Sequence, residues 1–417
     1  MKKHPRMEKK YIFPCVLLTL VLTACGGKAE RAQVENLPTE DTYVSSSYVT
    51  GYAAPSVEKE SVETSEKESE TAPSWYTEDA ILDAMTQQEG RYHFDKMQPS
   101  LHRLYAEIYL ILMNQGEKVI ISTHSADELS YAFQCVYNDH PEIFWIDGYK
   151  YIRRTHGSRE FDFAFTGNYI YDLTEVASFQ FQISNYVSRA TVGLQLASDY
   201  EKVKHVYEYV ITHTEYKLSS KDNQTILSTM LYGESVCQGY AKTVQYLLNY
   251  LDVPTTMVIG TNGDGEGHAW NLACVDGSYY YIDATWGDAS YGSNRIFGSN
   301  QPSINYDYLN ITTQELGINH NINAIVPLPM CVAMESNYYV KEGLYFTSYS
   351  GAAINMAFEN AYNRREKYIT LKASDASVYE SMRYELLERQ AIFGYLRGRD
   401  TVTYMENPIN LTLTFWL

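Results

Sequence analysis

Positive charge is scarce in this sequence: 33 Lys and Arg stand against 51 Asp and Glu, a formal net charge of −18. With no surplus of cations to neutralise phosphates, a general nucleic-acid binder is excluded. The acidic balance suits a protein that stays soluble at a wet, crowded surface. Cysteine is sparse as well, with six in 417 residues. Cys15, Cys25, Cys135, Cys237, Cys274 and Cys331 form no C-x-x-C pair, and their spacings fit neither a zinc ribbon nor a dense disulfide framework. That leaves room for a free, reactive thiol. The abundant residue is tyrosine, 39 in all. Tyrosines can stack on sugars, but scattered core and rim positions are the commoner explanation. The length allows two or three domains and ample core.

The N-terminal stretch reads as an address. Lys2, Lys3, Arg6, Lys9 and Lys10 precede an apolar run from Tyr11 to Leu22, about a dozen residues and too short to span a bilayer comfortably. It ends in Leu22-Thr23-Ala24-Cys25-Gly26-Gly27, which resembles the lipobox of bacterial lipoproteins. On that resemblance residues 1–25 are a signal peptide and lipobox, and Cys25 is lipidated, an anchor rather than a catalyst. Two acyl chains burying methylenes at about 0.8 kcal/mol each hold a protein to a membrane. The expected location is the cell membrane, lipid-anchored on the extracytoplasmic side. Residues 26–78 are rich in Ser, Thr and Glu, as in Glu58-Lys59-Glu60-Ser61-Val62-Glu63. They hold too few large apolar side chains to offset the entropy of ordering and read as a disordered acidic tether with a reach of roughly 40 Å.

The folded part divides by pattern into an N-terminal α/β region (79–195), a core (196–321) and a C-terminal α/β extension (322–417). In the first, apolar residues at 101, 104, 105, 108, 109 and 112 predict a helix over 100–114, and Glu117–Ser122 reads as a strand. Ser125-Ala126-Asp127-Glu128 is a capping box opening a helix to about Tyr137. Asp147-Gly148 between aromatic segments signals a hairpin turn. A helical stretch runs from about Leu173 into Glu201–His213. The extension carries helix signals over 351–364 and 376–393 and ends in the strand-like 410–416.

Between Tyr232 and Asp288 the pattern sharpens. Cys237-Gln238-Gly239-Tyr240-Ala241 opens a helical period with Ala241, Val244, Leu248 and Leu251 on one face, ending before Val253-Pro254. Cys237 thus sits among the unpaired N–H groups and positive dipole end of a helix, which favours thiolate over thiol and can receive an oxyanion. Two strands follow, His268–Val275 and Ser278–Thr285, joined by Asp276-Gly277, a strong two-residue hairpin signal. If Val275 faces Ser278, then Trp270 faces Asp283, and parity puts His268, Trp270 and Asp283 on one face. His268 and Asp283 are then diagonal neighbours, roughly 7–8 Å apart at Cα and within reach of a carboxylate–imidazole hydrogen bond. Cys274 shares that face but lies about 20 Å along the strand, so it cannot join His268 on zinc. Neither a metal nor a cofactor is expected. A lone cysteine or strand histidine is usually packing; together, with an agreeing register, they form an activated thiol.

Cys237-Gln238-Gly239-Tyr240-Ala241, His268-Ala269-Trp270-Asn271 and Asp283-Ala284-Thr285-Trp286 resemble the three core motifs of the transglutaminase-like superfamily, over about residues 200–290. Tyr216 resembles the family's approach to the cysteine. Asp139-His140-Pro141-Glu142-Ile143-Phe144-Trp145 resembles the N-terminal region of bacterial cell-surface members, some grouped with cytokinesis-associated transglutaminase-like proteins. Ser235 departs from a frequent glycine, and Gly287 separates Trp286 from Asp288. The resemblance implies an α+β fold related to papain-like proteases, a helix-start cysteine packed on an antiparallel sheet. It makes Cys237 the nucleophile, His268 the general base and acid, and Asp283 the residue that orients the histidine.

The expected function is that of a surface cysteine enzyme working through a thioester. Water would take the acyl group in a protease or amidase, and an amine in a transferase. The expected partners are a peptide or protein substrate, with cell-wall peptides among the candidates, and the membrane through Cys25, but no nucleic acid. Calcium-dependent crosslinking is disfavoured, since Asp264 and Glu266 make no recognised calcium loop. The rival reading is a non-catalytic binding or scaffolding module that keeps the fold.

Overall fold

The computed structural model describes residues 54–63, 72–156, 159–289 and 302–417. The leader, Cys15, Cys25 and most of the tether lie outside them. Among the described residues no helix is long and apolar enough to cross a membrane. The fold is α+β, in two compact units. One spans 45–337 and holds both the N-terminal region and the core; the other includes 338–417. The boundary expected at 321/322 therefore falls later. The segment after 322 belongs to the core because Cys331 joins its apolar cluster, while Asn310 donates to the Ser336 carbonyl and Asn337 to the Asn310 carbonyl.

In the N-terminal region the helices His102–Met113 and Ala126–Asp139 pack on a four-stranded sheet. Ser125 caps the second helix by accepting from Glu128 N, but the Glu128 carboxylate takes the Thr123 hydroxyl instead of returning to Ser125. Two expectations fail here. Ser56–Glu63, placed in the tether, is a strand pairing in parallel with Ile146–His156. An edge strand needs little apolar burial, so a Ser/Glu composition can occupy it. Asp147-Gly148 is not a turn either. It lies inside Ile146–His156, where the pairing with Arg159–Tyr169 slips register. Gly148 is needed because a Cβ there would stand 2.1 Å from the Ser56 carbonyl oxygen.

The core holds a five-stranded antiparallel sheet in the order 309–311, 278–282, 267–275, 255–262, 320–322. Against it lies the cysteine helix, Cys237–Tyr250, with Cys237 and Ala241 packed on Met257 and Ala269. Every residue from Cys237 to Gln245 is buried, so the helix has no solvent face in its first half. Polar side chains on its far side meet the N-terminal region: Gln238 donates to Tyr137 Oη and Gln245 to the Asn138 carbonyl. Lys242 Nζ lies 3.4 Å from the centre of the Tyr137 ring. The helical stretch upstream divides into Leu173–Ala190 and Asp199–Thr212, each opened by a complete capping box.

In the second unit a sheet of four short strands is accompanied by the helices Gly351–Asn363 and Ala376–Arg383. The helix expected over 376–393 passes into a π turn after Arg383. The closing strand, Thr412–Trp416, pairs with Tyr368–Ala373 and Tyr404–Asn407.

Candidate active site

The hairpin register follows the sequence arithmetic: Val275 pairs Ser278, Cys274 pairs Tyr279, and so on to Asn271 with Ile282. Asp276 and Gly277 both take positive φ, +51° and +81°, as the tight turn requires. The second strand stops sooner than expected, at Ile282 rather than Thr285. Asp283 leaves the ladder because its side chain caps a helical turn, Ala284–Gly287. Its Oδ1 accepts from the backbone N–H of Thr285 and Trp286 at 2.9 and 3.1 Å, the local preference of Asp at a helix start. That leaves Oδ2 free to face the sheet, where His268 Nε2 meets it at 2.7 Å.

The thiol arrives from the other element. Val236 precedes the helix in an extended conformation, and Cys237 is the first helical residue. Gly239 allows the preceding loop to close over the helix start, since a Cβ there would lie 1.9 Å from Ser235 Oγ. Ser235, the departure from glycine, holds Ser228 Oγ at 2.6 Å. Cys237 packs on Ala269, the neighbour of His268, and its sulfur lies close enough to the His268 imidazole to favour the ring's proton. Cys237, His268 and Asp283 are 1%, 3% and 1% exposed. Burial opposes charge on His268, but the Asp283 carboxylate and the Cys237 sulfur outweigh it and raise the imidazole to about 10. Burial likewise opposes the Asp283 charge, yet His268, with help from His320, holds the carboxyl far below its ordinary range. Low dielectric makes such pairing strong.

His320 escaped the sequence reading. Its Nε2 lies 3.0 Å from the same Asp283 Oδ2, and its Nδ1 is 2.6 Å from Asn319 Oδ1. Only the pairing of His320 with Asn262 at the sheet edge brings it there, and no local motif marks it. A possible signal was parity along His320–Ile322, but the strand is too short to read. Among the described residues, His268, Asp283 and His320 are the group whose ligand atoms, all within 4.8 Å of one another, could hold a metal ion. Each of those atoms is already engaged in a hydrogen bond within the group. Cys274 and Cys331 stand apart from the thiol site, and burial raises both thiols. Two indole N–H groups, of Trp270 and Trp286, are buried without a partner among the described residues.

A thiol at a helix start, an imidazole on an antiparallel strand and a carboxylate beside it define a papain-like arrangement on an α+β core. Residues 189–284 match the model of the transglutaminase-like superfamily. Among solved structures, a transglutaminase is similar at 15% identity over 33% of this chain and 44% of that one, with a TM-score of 0.25. A candidate cysteine protease from Cytophaga hutchinsonii shares 22% identity over 24% and 41% of the two chains, TM-score 0.19. A candidate protease from Parabacteroides distasonis shares 14% over 31% and 30%, TM-score 0.21. The alignments thus span less than half of each of those chains. No curated protein sequence matches.

Proposed function

We propose that the protein is a cysteine enzyme that breaks or transfers peptide or amide acyl groups through a thioester on Cys237. The observation that carries the reading is a buried thiol at a helix start, packed on Ala269 beside a His268 whose Nε2 meets Asp283 Oδ2 at 2.7 Å. In the first step the Cys237 thiolate attacks the carbonyl carbon. Charge developing on the carbonyl oxygen is met by N–H groups at the start of the cysteine helix. The His268 imidazolium gives its proton to the departing amine, and a thioester remains. His268, now neutral, takes a proton from water or from an acceptor amine, which attacks the thioester; collapse of the resulting adduct releases the acyl product and expels the Cys237 thiolate, restoring the thiolate–imidazolium pair. Asp283 keeps Nε2 protonated and the ring oriented. Lipidation at Cys25, an extracytoplasmic position and peptide substrates such as those of the cell wall complete the proposal.

One observation favours the second reading, a binding or scaffolding module: the three side chains are almost wholly buried. Iodoacetamide labelling separates the two. An enzyme carries a Cys237 that alkylates faster than Cys135, Cys274 and Cys331 and loses that advantage in His268→Ala; equal rates at all four remove the activated thiol. Incubation of wild type and Cys237→Ala with cell-wall peptides, casein and a labelled amine then distinguishes cleavage from amine incorporation.

A further inference from the structure

His320 is the one strongly placed side chain at the site that the proposed mechanism leaves unused. It is buried, 3% exposed, and its backbone is fixed by pairing with Asn262. Gly260 lets that edge strand approach: a Cβ there would stand 2.0 Å from the Asn321 carbonyl oxygen and 2.5 Å from the Trp270 ring. The imidazole is enclosed by Trp270, Trp286 and Tyr308, with ring centres 5.0, 4.8 and 5.9 Å away, and by His268 at 5.4 Å. Two imidazole nitrogens therefore point at one carboxylate oxygen, while the other oxygen is held by backbone N–H groups.

Resting on the reading of Cys237, His268 and Asp283 as the reacting group, we propose that His320 is a positioning residue that holds Asp283 Oδ2 by donation from Nε2 and thereby restrains the basicity of His268. A carboxylate shared between two donors pulls less on either proton than one bound to a single donor. His268 must surrender its proton to the leaving amine, so a carboxylate that gripped it alone would make it a poorer acid. Asn319 fixes the ring from the far side through Nδ1. The other titratable groups facing this cluster are Cys237 against His268, Tyr308 against His320, and Tyr207, which feels the charge of Asp283 together with those of Asp288 and Asp307.

The test uses the full chain. In a Cys237→Ser background, the His268 imidazole is titrated by 15N NMR with His320 intact, replaced by Gln, or replaced by Ala. The Gln amide nitrogen can reproduce the Nε2 donor; Ala cannot. His320→Ala should raise the His268 midpoint by about one unit, and His320→Gln should return most of that shift. With Cys237 present, the basic limb of the iodoacetamide pH profile, where His268 loses its proton, should move the same way in His320→Ala and stay near its wild-type position in His320→Gln. A folded His320→Ala protein whose His268 midpoint does not move overturns the inference, because a merely structural histidine would cost stability and leave the titration alone. The NMR arm contains no thiol, so failure of the Cys237 reading, seen as equal alkylation of all cysteines, is a separate result.

Discussion

Among the described residues, the same compact unit carries two buried aspartates paired with histidine, Asp139 and Asp283, and only one of them serves a histidine that faces a nucleophile. His93 Nδ1 meets Asp139 Oδ1 at 2.9 Å in the N-terminal region, against 2.7 Å between His268 and Asp283 in the core. Asp139 is also saturated: it accepts from the backbone of His93 and Phe94 and from Tyr105 Oη at 3.0 Å. Burial opposes its charge, and His93 nonetheless holds it below the ordinary carboxyl range. The ring of His93 is closed off by Asn138 and Thr256. The difference lies in what the far side of the imidazole touches. Around His93 it is the Asn138 amide at Nε2, while the Thr256 hydroxyl joins Asp139 at Nδ1, and together they complete a structural network. Around His268 it is a thiol at a helix start. An ion pair by itself is structural, and chemistry requires the third group.

Four experiments break or sharpen this contrast. The largest effect is expected from Cys237→Ala, which should abolish acyl transfer, whereas His93→Ala should leave the alkylation rate of Cys237 in folded protein unchanged. A loss at both positions would erase the distinction. Asp283→Asn should slow alkylation or turnover by roughly 10³–10⁴ with the fold retained, by loss of the correct tautomer. Its counterpart Asp139→Asn should instead cost about 3–5 kcal/mol of stability by stranding His93, with Cys237 reactivity intact in the folded fraction, measured by urea unfolding and labelling.

The third comparison is in pH. The folded-state value of His268 is raised to about 10, so its contribution is fully present below the unfolded value of about 6.5 and is lost as pH rises towards 10. The Tm difference between wild type and His268→Gln should therefore shrink from pH 6 to pH 10. Asp139 has a depressed value, so its contribution is present above about 3.9 and lost only at lower pH. The Tm difference for Asp139→Asn should stay flat over the same range. The smallest effect concerns Lys242, whose ammonium is lowered to about 7 by burial and makes no hydrogen bond to a described residue. Lys242→Met should raise Tm at pH 7, by about 1–2 kcal/mol in stability, and the gain should fade towards pH 10, where the unfolded lysine also loses its proton.

What was legible was local. The helix at Cys237 announced itself by apolar period and by the break at Val253-Pro254. The hairpin at Asp276-Gly277 fixed its own register, because a two-residue turn leaves no freedom in which residues face each other. The same signal misled at Asp147-Gly148: there the glycine serves the close passage of a neighbouring strand, a long-range demand that a dipeptide does not reveal. The end of the second hairpin strand was also misjudged, since Asp283 can extend a strand or cap a helix, and backbone donors at Thr285 and Trp286 decided for the cap.

The apolar period of the cysteine helix marks one buried face through Ala241, Val244, Leu248 and Leu251, yet the polar Gln238, Lys242 and Gln245 are buried as well. Helical period tells which residues share a face but not whether another domain region covers it. By itself, then, the sequence determined the thiol at a helix start, the turn, and the proximity of His268 to Asp283, all set by backbone geometry over a few tens of residues. The tertiary structure alone decided that the cysteine helix is enclosed on both sides, that Asp283 divides its two oxygens between backbone and imidazole, and that His320 closes on it from an edge strand 37 residues away. Those features depend on which surfaces meet, and that is settled by packing across the whole unit rather than by any short stretch of chain.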